Sequence, residues 1–151
     1  MIKFYNTQIV FQEVPDEVTL AINLTNCPYR CHGCHSPYLR QDIGTPLTQE
    51  ILESMIVNYR GITCVCFMGL SNLEPDYDEL KKLREVVSKK YELKTAWYTG
   101  QNADEIFAYN LADWKNWDYI KFGPYVEALG GLDKKSSNQK LIKISEILPR
   151  D

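Results

Sequence analysis

Val18-Thr-Leu-Ala-Ile-Asn-Leu24 is a short apolar run rich in β-branched residues, and Cys27-Pro-Tyr-Arg-Cys31-His-Gly-Cys34-His35 follows it almost at once. The first run reads as a buried strand. The segment after it, Thr25 to Thr45, carries Cys, Pro, Gly and His and is long for a structureless connection, which marks it as functional. Working outward, Thr48 caps a predicted helix to Tyr59 with Ile51, Leu52, Met55, Ile56 and Tyr59 on one face. Thr63 to Met68 reads as a strand. Asp76 to Tyr91 reads as a helix with Leu80, Leu83, Val86 and Val87 inward, and Asp78–Lys82 and Glu85–Lys89 as pairs on a solvated face. Leu93 to Thr99 is a predicted strand, Ala103 to Leu111 a short helix, and Tyr119 to Phe122 and Leu141 to Ser145 two further strands.

Strands alternating with helices give an α/β class with a mostly parallel sheet and right-handed crossovers. The strands are too few for a closed eight-stranded barrel. The expected fold is therefore a partial, open β/α barrel of about five or six mostly parallel strands, in one domain spanning residues 1–151. Ligands gather at the carboxyl ends of such strands. Four places qualify and should share one rim: the cysteine loop after Leu24, Gly69 to Asn72, Thr99 to Asn102, and Phe122 to Tyr125.

The chain has 151 residues, 44% hydrophobic and 25% charged, with 17 basic against 20 acidic side chains and a net charge of −3. That composition is globular, and a chain of about this length buries enough surface for a core without staples. No apolar run approaches the ~18 residues of a membrane span. Met1 to Val10 holds Lys3 but no apolar signal region, so the expectation is a cytoplasmic protein with no membrane partner. The acidic balance argues against a chain built to grip nucleic acid.

Five cysteines make an odd number, crowded as Cys27, Cys31 and Cys34 in one loop and Cys64 with Cys66 later. In the cytoplasm such clusters point to metal or redox chemistry rather than disulfides. Three thiolates at this spacing suit a soft centre, zinc or iron–sulfur. Structural zinc wants four closed ligands, usually in two separated pairs; here there is one compact triplet, with His32 or His35 as the available fourth. On a four-iron cluster three thiolates would leave one iron open and reactive. Gly33 permits the tight turn that lets the three sulfurs converge. Cys64 and Cys66, two apart on a strand, read as small packing residues on one face.

The triplet placed after the first buried strand resembles the radical S-adenosylmethionine signature. With its neighbours Cys27-Pro-Tyr-Arg-Cys31-His-Gly-Cys34-His-Ser-Pro it resembles the cluster loop of the anaerobic ribonucleoside-triphosphate reductase activating proteins, a family of glycyl-radical enzyme activases. Cys66-Phe-Met-Gly69, Trp97-Tyr-Thr-Gly100 and Asp118-Tyr-Ile-Lys-Phe-Gly-Pro-Tyr125 leading to Ser137-Asn-Gln139 are similar to that family in the same order. The likeness runs from about residue 5 to 145.

The resemblance implies a [4Fe-4S] cluster on Cys27, Cys31 and Cys34 whose open iron binds S-adenosyl-L-methionine through its amino and carboxylate groups. Reductive cleavage then gives methionine and a 5′-deoxyadenosyl radical, which takes a hydrogen from a glycine of the partner, the anaerobic ribonucleoside-triphosphate reductase. A reduced flavodoxin- or ferredoxin-type protein would be the electron donor. The cofactor-binding residues it implies are Gly69, Leu70, Ser71, Asn72, Tyr98 and Thr99, with His35 beside the cluster. Where the family usually has two glycines and an acidic residue, this chain has Gly69-Leu70-Ser71-Asn72; Ser71 and Asn72 still offer oxygen acceptors. Lys121 is a rim cation or a surface lysine. From Lys134 to Arg150 five basic residues face only Glu146, a local +4 that could dock an acidic partner or form a solvated end. An activase of another glycyl-radical enzyme and a zinc-stabilised interaction domain without catalysis are the competing expectations.

Overall fold

The computed structural model describes residues 2–11, 14, 16–25, 44–69, 77–99, 114–122 and 140–147. Within them, β1 is Lys3–Val10, β2 Thr19–Leu24, β3 Thr45–Pro46, α1 Gln49–Asn58 and β4 Cys64–Met68. Then come α2 Tyr77–Glu85, a π-helical turn Val86–Lys90, β5 Lys94–Tyr98, a 3-10 turn Trp114–Asn116, β6 Tyr119–Phe122, β7 Lys140–Lys143 and the single turn α3, Ile144–Ile147. The expected helix Ala103 to Leu111 lies outside the described residues.

The strands form one open sheet in the order β3-β1-β2-β4-β5-β6-β7. This corrects the expected count and sense. There are seven strands rather than five or six, and the sheet is mixed. Pairings β2–β4, β4–β5 and β5–β6 are parallel, while β1–β2, β1–β3 and β6–β7 are antiparallel. The four central strands lie in chain order without reversal. Right-handed crossovers in that order put successive helices on the same side. Accordingly Leu52 and Ile56 of α1 and Leu80 and Leu83 of α2, with Val87 beyond it, share one core cluster with Leu20, Ile22, Val65, Phe67, Trp97 and Ile120. This winding is compatible with a partial β/α barrel.

Alternation along the strands sorts the two faces. Val65, Phe67 and Trp97 face the helices, whereas Cys64, Cys66, Ala96, Tyr98 and Tyr119 form a second cluster on the other side with Val14. Central strands buried on both faces explain the near-continuous apolar run of β2. Aromatic packing locks the helix face: the Trp97 and Trp117 rings stack at 5.8 Å, the Tyr77 ring lies 5.2 Å from that of Trp97, and Arg84 sits 5.2 Å over Trp117. The Trp117 indole N–H donates to the Tyr77 hydroxyl at 3.0 Å, so this buried polar pair is satisfied.

Several element ends depart from the sequence reading. β1 has no counterpart in it; a register shift between Phe4 and Asn6 breaks its two-residue period, so Phe4 and Ile9 both reach the helix-side core. The Thr48 hydroxyl caps α1 by accepting from the Ile51 N–H at 3.2 Å, as expected. Tyr59, however, follows the helix and is exposed rather than on its inner face. The strand expected over Leu141 to Ser145 stops at Lys143. There the Ile144 N–H turns to the Asp118 carbonyl at 2.9 Å and its side chain is buried in the core. Among the described residues no helix is long and apolar enough to cross a membrane.

Candidate functional site

Hydrogen bonds join the carboxyl ends of β4, β5 and β6 around Gly69, the first residue of one expected rim segment, and Thr99, the first of another. The Gly69 N–H donates to the Tyr98 carbonyl at 2.6 Å, the Gly69 carbonyl accepts the Trp97 indole N–H at 2.8 Å, and the Thr99 N–H donates to the Lys121 carbonyl at 3.0 Å. Gly69 has φ +128°, and a Cβ there would lie 3.2 Å from the Leu24 Cβ. Glycine is needed at this position both for its dihedral and so that the end of β4 can close on the end of β2. One carbonyl lone pair and the only N–H of Gly69 are thus already committed. Its part at the rim is shape rather than hydrogen-bond donation. Tyr98 and Thr99 are both buried there, and the Lys121 ammonium stands 5.0 Å from the Tyr98 ring.

Strand register carries this rim across the second face of the sheet. Asn6 pairs with Asn23, Asn23 with Met68, Met68 with Tyr98, and Tyr98 with Lys121. The Asn23 side-chain amide donates to that of Asn6 at 2.6 Å. The sequence reading passes over this amide pair. A signal for it exists: Asn23 alternates with the core positions Ile22 and Leu24 and shares its face with Thr19 and Ala21.

The segment 26–43 leaves and returns beside this rim. Thr25 is buried and its N–H donates to the Lys3 carbonyl at 3.0 Å. At the other end Gly44, with φ +99°, sits so close to β1 that a Cβ would be 2.2 Å from the Phe4 carbonyl oxygen and 3.4 Å from Thr25 Cγ2. Both ends are therefore pinned to β1 beside the carboxyl end of β2. Cys27, Cys31, Cys34 and His35, like Leu70, Ser71 and Asn72, lie outside the described residues. Among the described residues no group of three or more His, Cys, Asp or Glu side chains could hold a metal ion.

Residues 18–142 match the model of the 4Fe-4S single cluster domain family. The chain belongs to that family. The match opens one residue before β2 and closes inside β7, so it contains the whole parallel sheet and the 26–43 segment, and leaves β1 outside. No curated protein and no solved structure matches the chain at a significant level.

A 4Fe-4S single cluster domain needs thiolates, and the sheet has two thiols ill suited to the task. Cys64 and Cys66 are fully buried and form no disulfide. Burial pushes the Cys64 thiol up to about 12, and the neighbouring Glu17 charge adds to the effect. It stays protonated and packs as a small hydrophobe, as the strand spacing suggests. The three other thiols of the chain, Cys27, Cys31 and Cys34, lie in one short run of sequence and fit a single four-iron cluster by their number and softness.

At the opposite end of the sheet a polar knot around the buried Glu17 closes the second face. The Glu17 carboxylate accepts from Lys94 at 2.8 Å, from the Tyr119 hydroxyl at 3.3 Å and from the Thr63 hydroxyl. Burial alone would raise the Glu17 carboxyl, but the hydrogen bonds from Lys94 and Thr63, the Lys94 charge and Tyr119 together hold it below its ordinary 4.5. Lys94 is raised above 10.5, chiefly by its hydrogen bond to Glu17. A carboxyl lowered on folding contributes stability that is complete above its unfolded value and is lost as pH falls through the lower folded one. Lys94 contributes fully below 10.5 and loses its share as pH rises through its raised folded value. Urea denaturation from about pH 6 down to about pH 3 should show stability falling below 4.5. Glu17→Gln should be less stable at neutral pH and should flatten this acid limb; an unchanged limb would show that other carboxylates govern it.

Proposed function

We propose that this single-cluster protein is a radical S-adenosyl-L-methionine activase that installs a glycyl radical on an anaerobic ribonucleoside-triphosphate reductase, with electrons from a reduced flavodoxin- or ferredoxin-type donor. The observation that carries this reading is the division of the cysteines. The family holds one four-iron cluster, two of the five thiols are locked into the sheet, and the three left over, Cys27, Cys31 and Cys34, are one short of a closed site. When bound, the cluster supplies the electron that cleaves the sulfonium of S-adenosyl-L-methionine to methionine and a 5′-deoxyadenosyl radical.

The chain's own residues have positioning to do. Gly69 lets the end of β4 lie against Leu24, which opens the rim next to the cysteine segment for the cofactor. Tyr98 and Thr99 border that space and suit its adenosine part. Ser71 and Asn72 supply oxygen acceptors for its amino group where the resembled family has an acid, while Leu70 supplies apolar surface. His35 adjoins the cluster. The basic residues Lys134, Lys135, Lys140 and Lys143 favour an acidic protein partner, with a salt-dependent on-rate. The series from Cys66 to Gly69, Trp97 to Gly100 and Asp118 to Gln139 favours this activase over those of other glycyl-radical enzymes.

The test mixes reduced protein, S-adenosyl-L-methionine and the host's anaerobic reductase without oxygen. A doublet glycyl-radical resonance should appear on the reductase and vanish when its target glycine is replaced by alanine. Methionine and 5′-deoxyadenosine should form alongside it. Cofactor cleavage without a protein radical on any glycyl-radical enzyme of the host would sink the activase reading. One zinc per chain, without iron or acid-labile sulfide after anaerobic purification, would replace it with an interaction domain.

A further inference from the structure

Asn23 is the one residue of β2 that is only half-buried. It stands at the carboxyl end of the strand, on the face turned away from the helices. Its Nδ2 donates at 2.6 Å to Oδ1 of Asn6, which lies opposite it on β1. That bond uses one donor and one acceptor of the two amides. The Asn23 Oδ1 and the Asn6 Nδ2 are left over, with no partner among the described residues. Asn6 is exposed, so the pair opens to solvent. Beneath it the next row of the same face, Ala21, Cys66 and Ala96, is fully buried. Two amides at the border of that floor cost desolvation that an aliphatic pair would avoid.

We infer that the Asn6–Asn23 pair binds the main chain of the partner segment that carries the target glycine, accepting from the N–H and donating to the C=O of one of its residues. The inference rests on the activase reading above and deepens it. In an extended chain the N–H and C=O of one residue point to the same side, and one acceptor beside one donor is their complement. A glycine has no side chain to recognise, so a segment that presents it must be read through its backbone. The cofactor takes another part of the rim. Tyr98 and Thr99 border its space at the end of β5, and β4 stands between β5 and β2. Two strand spacings, about 10 Å, therefore separate that border from Asn23. Carboxamides also suit a site where a 5′-deoxyadenosyl radical forms. Their N–H bonds are too strong to give up a hydrogen atom to it, whereas a thiol or phenol in the same place would quench it. Asn6 and Asn23 are thus binding residues for the protein substrate.

Anaerobic activation of the reductase by wild type, Asn23→Leu and Asn6→Asp tests this, with the glycyl-radical doublet and 5′-deoxyadenosine counted together. Asn23→Leu removes the acceptor at similar volume. Asn6→Asp keeps an acceptor for the Asn23 amide but puts a carboxylate where the outward donor was. Asn6 is exposed, so this variant keeps its fold, which circular dichroism will verify. Each variant should raise the KM for the reductase about tenfold with a smaller change in kcat, and should lower the yield of protein radical per 5′-deoxyadenosine. Affinity for S-adenosyl-L-methionine, read from its effect on the electron paramagnetic resonance spectrum of the cluster, should stay within about twofold of wild type. A wild-type KM in both variants overturns the inference. So does a tenfold loss of cofactor affinity, which would give the pair to S-adenosyl-L-methionine instead. Wild-type protein that cleaves the cofactor yet leaves no radical on the reductase sinks the activase reading itself, and this inference with it.

Discussion

Anaerobically reconstituted protein in which Cys27, Cys31 or Cys34 is replaced singly by Ser will have lost its broad visible absorption and its acid-labile sulfide, whereas Cys64→Ala and Cys66→Ala will keep both. The contrast rests on chemistry before position. A cluster ligand is a thiolate, and the Cys64 thiol is held protonated by burial and by the Glu17 carboxylate up to about 12. Cys64 and Cys66 also pack with Ala96, Tyr98 and Tyr119, where no iron could enter without opening the sheet. Their truncation therefore removes one small buried group each and should cost about 1 kcal/mol of stability without touching the cluster. Iron and sulfide counts beside a thermal melt separate the two effects. Cluster loss on Cys64→Ala with retention on Cys27→Ser would invert the assignment.

Trp97→Ala will be the most damaging single change in the sheet. Its indole is fully buried, stacks on Trp117, packs on Tyr77 and donates to the Gly69 carbonyl. Truncating a buried Trp costs about 3–5 kcal/mol, a large part of the ~5–15 kcal/mol of a typical domain. The melting temperature should fall by about 10 °C or more. Trp97→Phe separates packing from positioning. It restores most of the volume but leaves the Gly69 carbonyl without its indole donor, at about 1–3 kcal/mol. If the rim holds S-adenosyl-L-methionine, this variant will take up iron normally yet bind the cofactor more weakly. Equal binding by Trp97→Phe and wild type would show that the rim does not depend on this bond.

The parallel heart of the fold is legible because its strands are short apolar runs separated by helical periods. β2, β4, β5 and β6 fall within a residue or so of where the pattern puts them, and Thr48 announces α1. β1 escapes the pattern because its polar residues and the shift at Tyr5 erase the alternation by which a strand is recognised. The end of β7 is misplaced because Ile144 satisfies both an apolar strand pattern and a buried turn; only the Asp118 carbonyl, distant in sequence, decides between them. At the site, spacing foretells the shared face of Cys64 and Cys66 and the meeting of Gly69 with Tyr98 and Thr99. It does not foretell that Trp97 engages the Gly69 carbonyl, because that bond joins two strands through a side chain on the far face. Nor does it show Glu17 as a buried anion, since Lys94, Thr63 and Tyr119 come together only when the sheet forms.

The core described here is assembled from leucine, isoleucine, valine and tryptophan, with Cys64 and Cys66 packed as inert filler. Among the described residues no group of three or more His, Cys, Asp or Glu side chains could hold a metal ion. Metal-dependent mini-domains fold only when loaded, but this scaffold has its own reason to stand. Loss of a bound cluster would therefore leave the sheet and its two packed helices folded rather than an unravelled chain. Such damage would then be a matter of refitting iron and sulfide rather than of resynthesis.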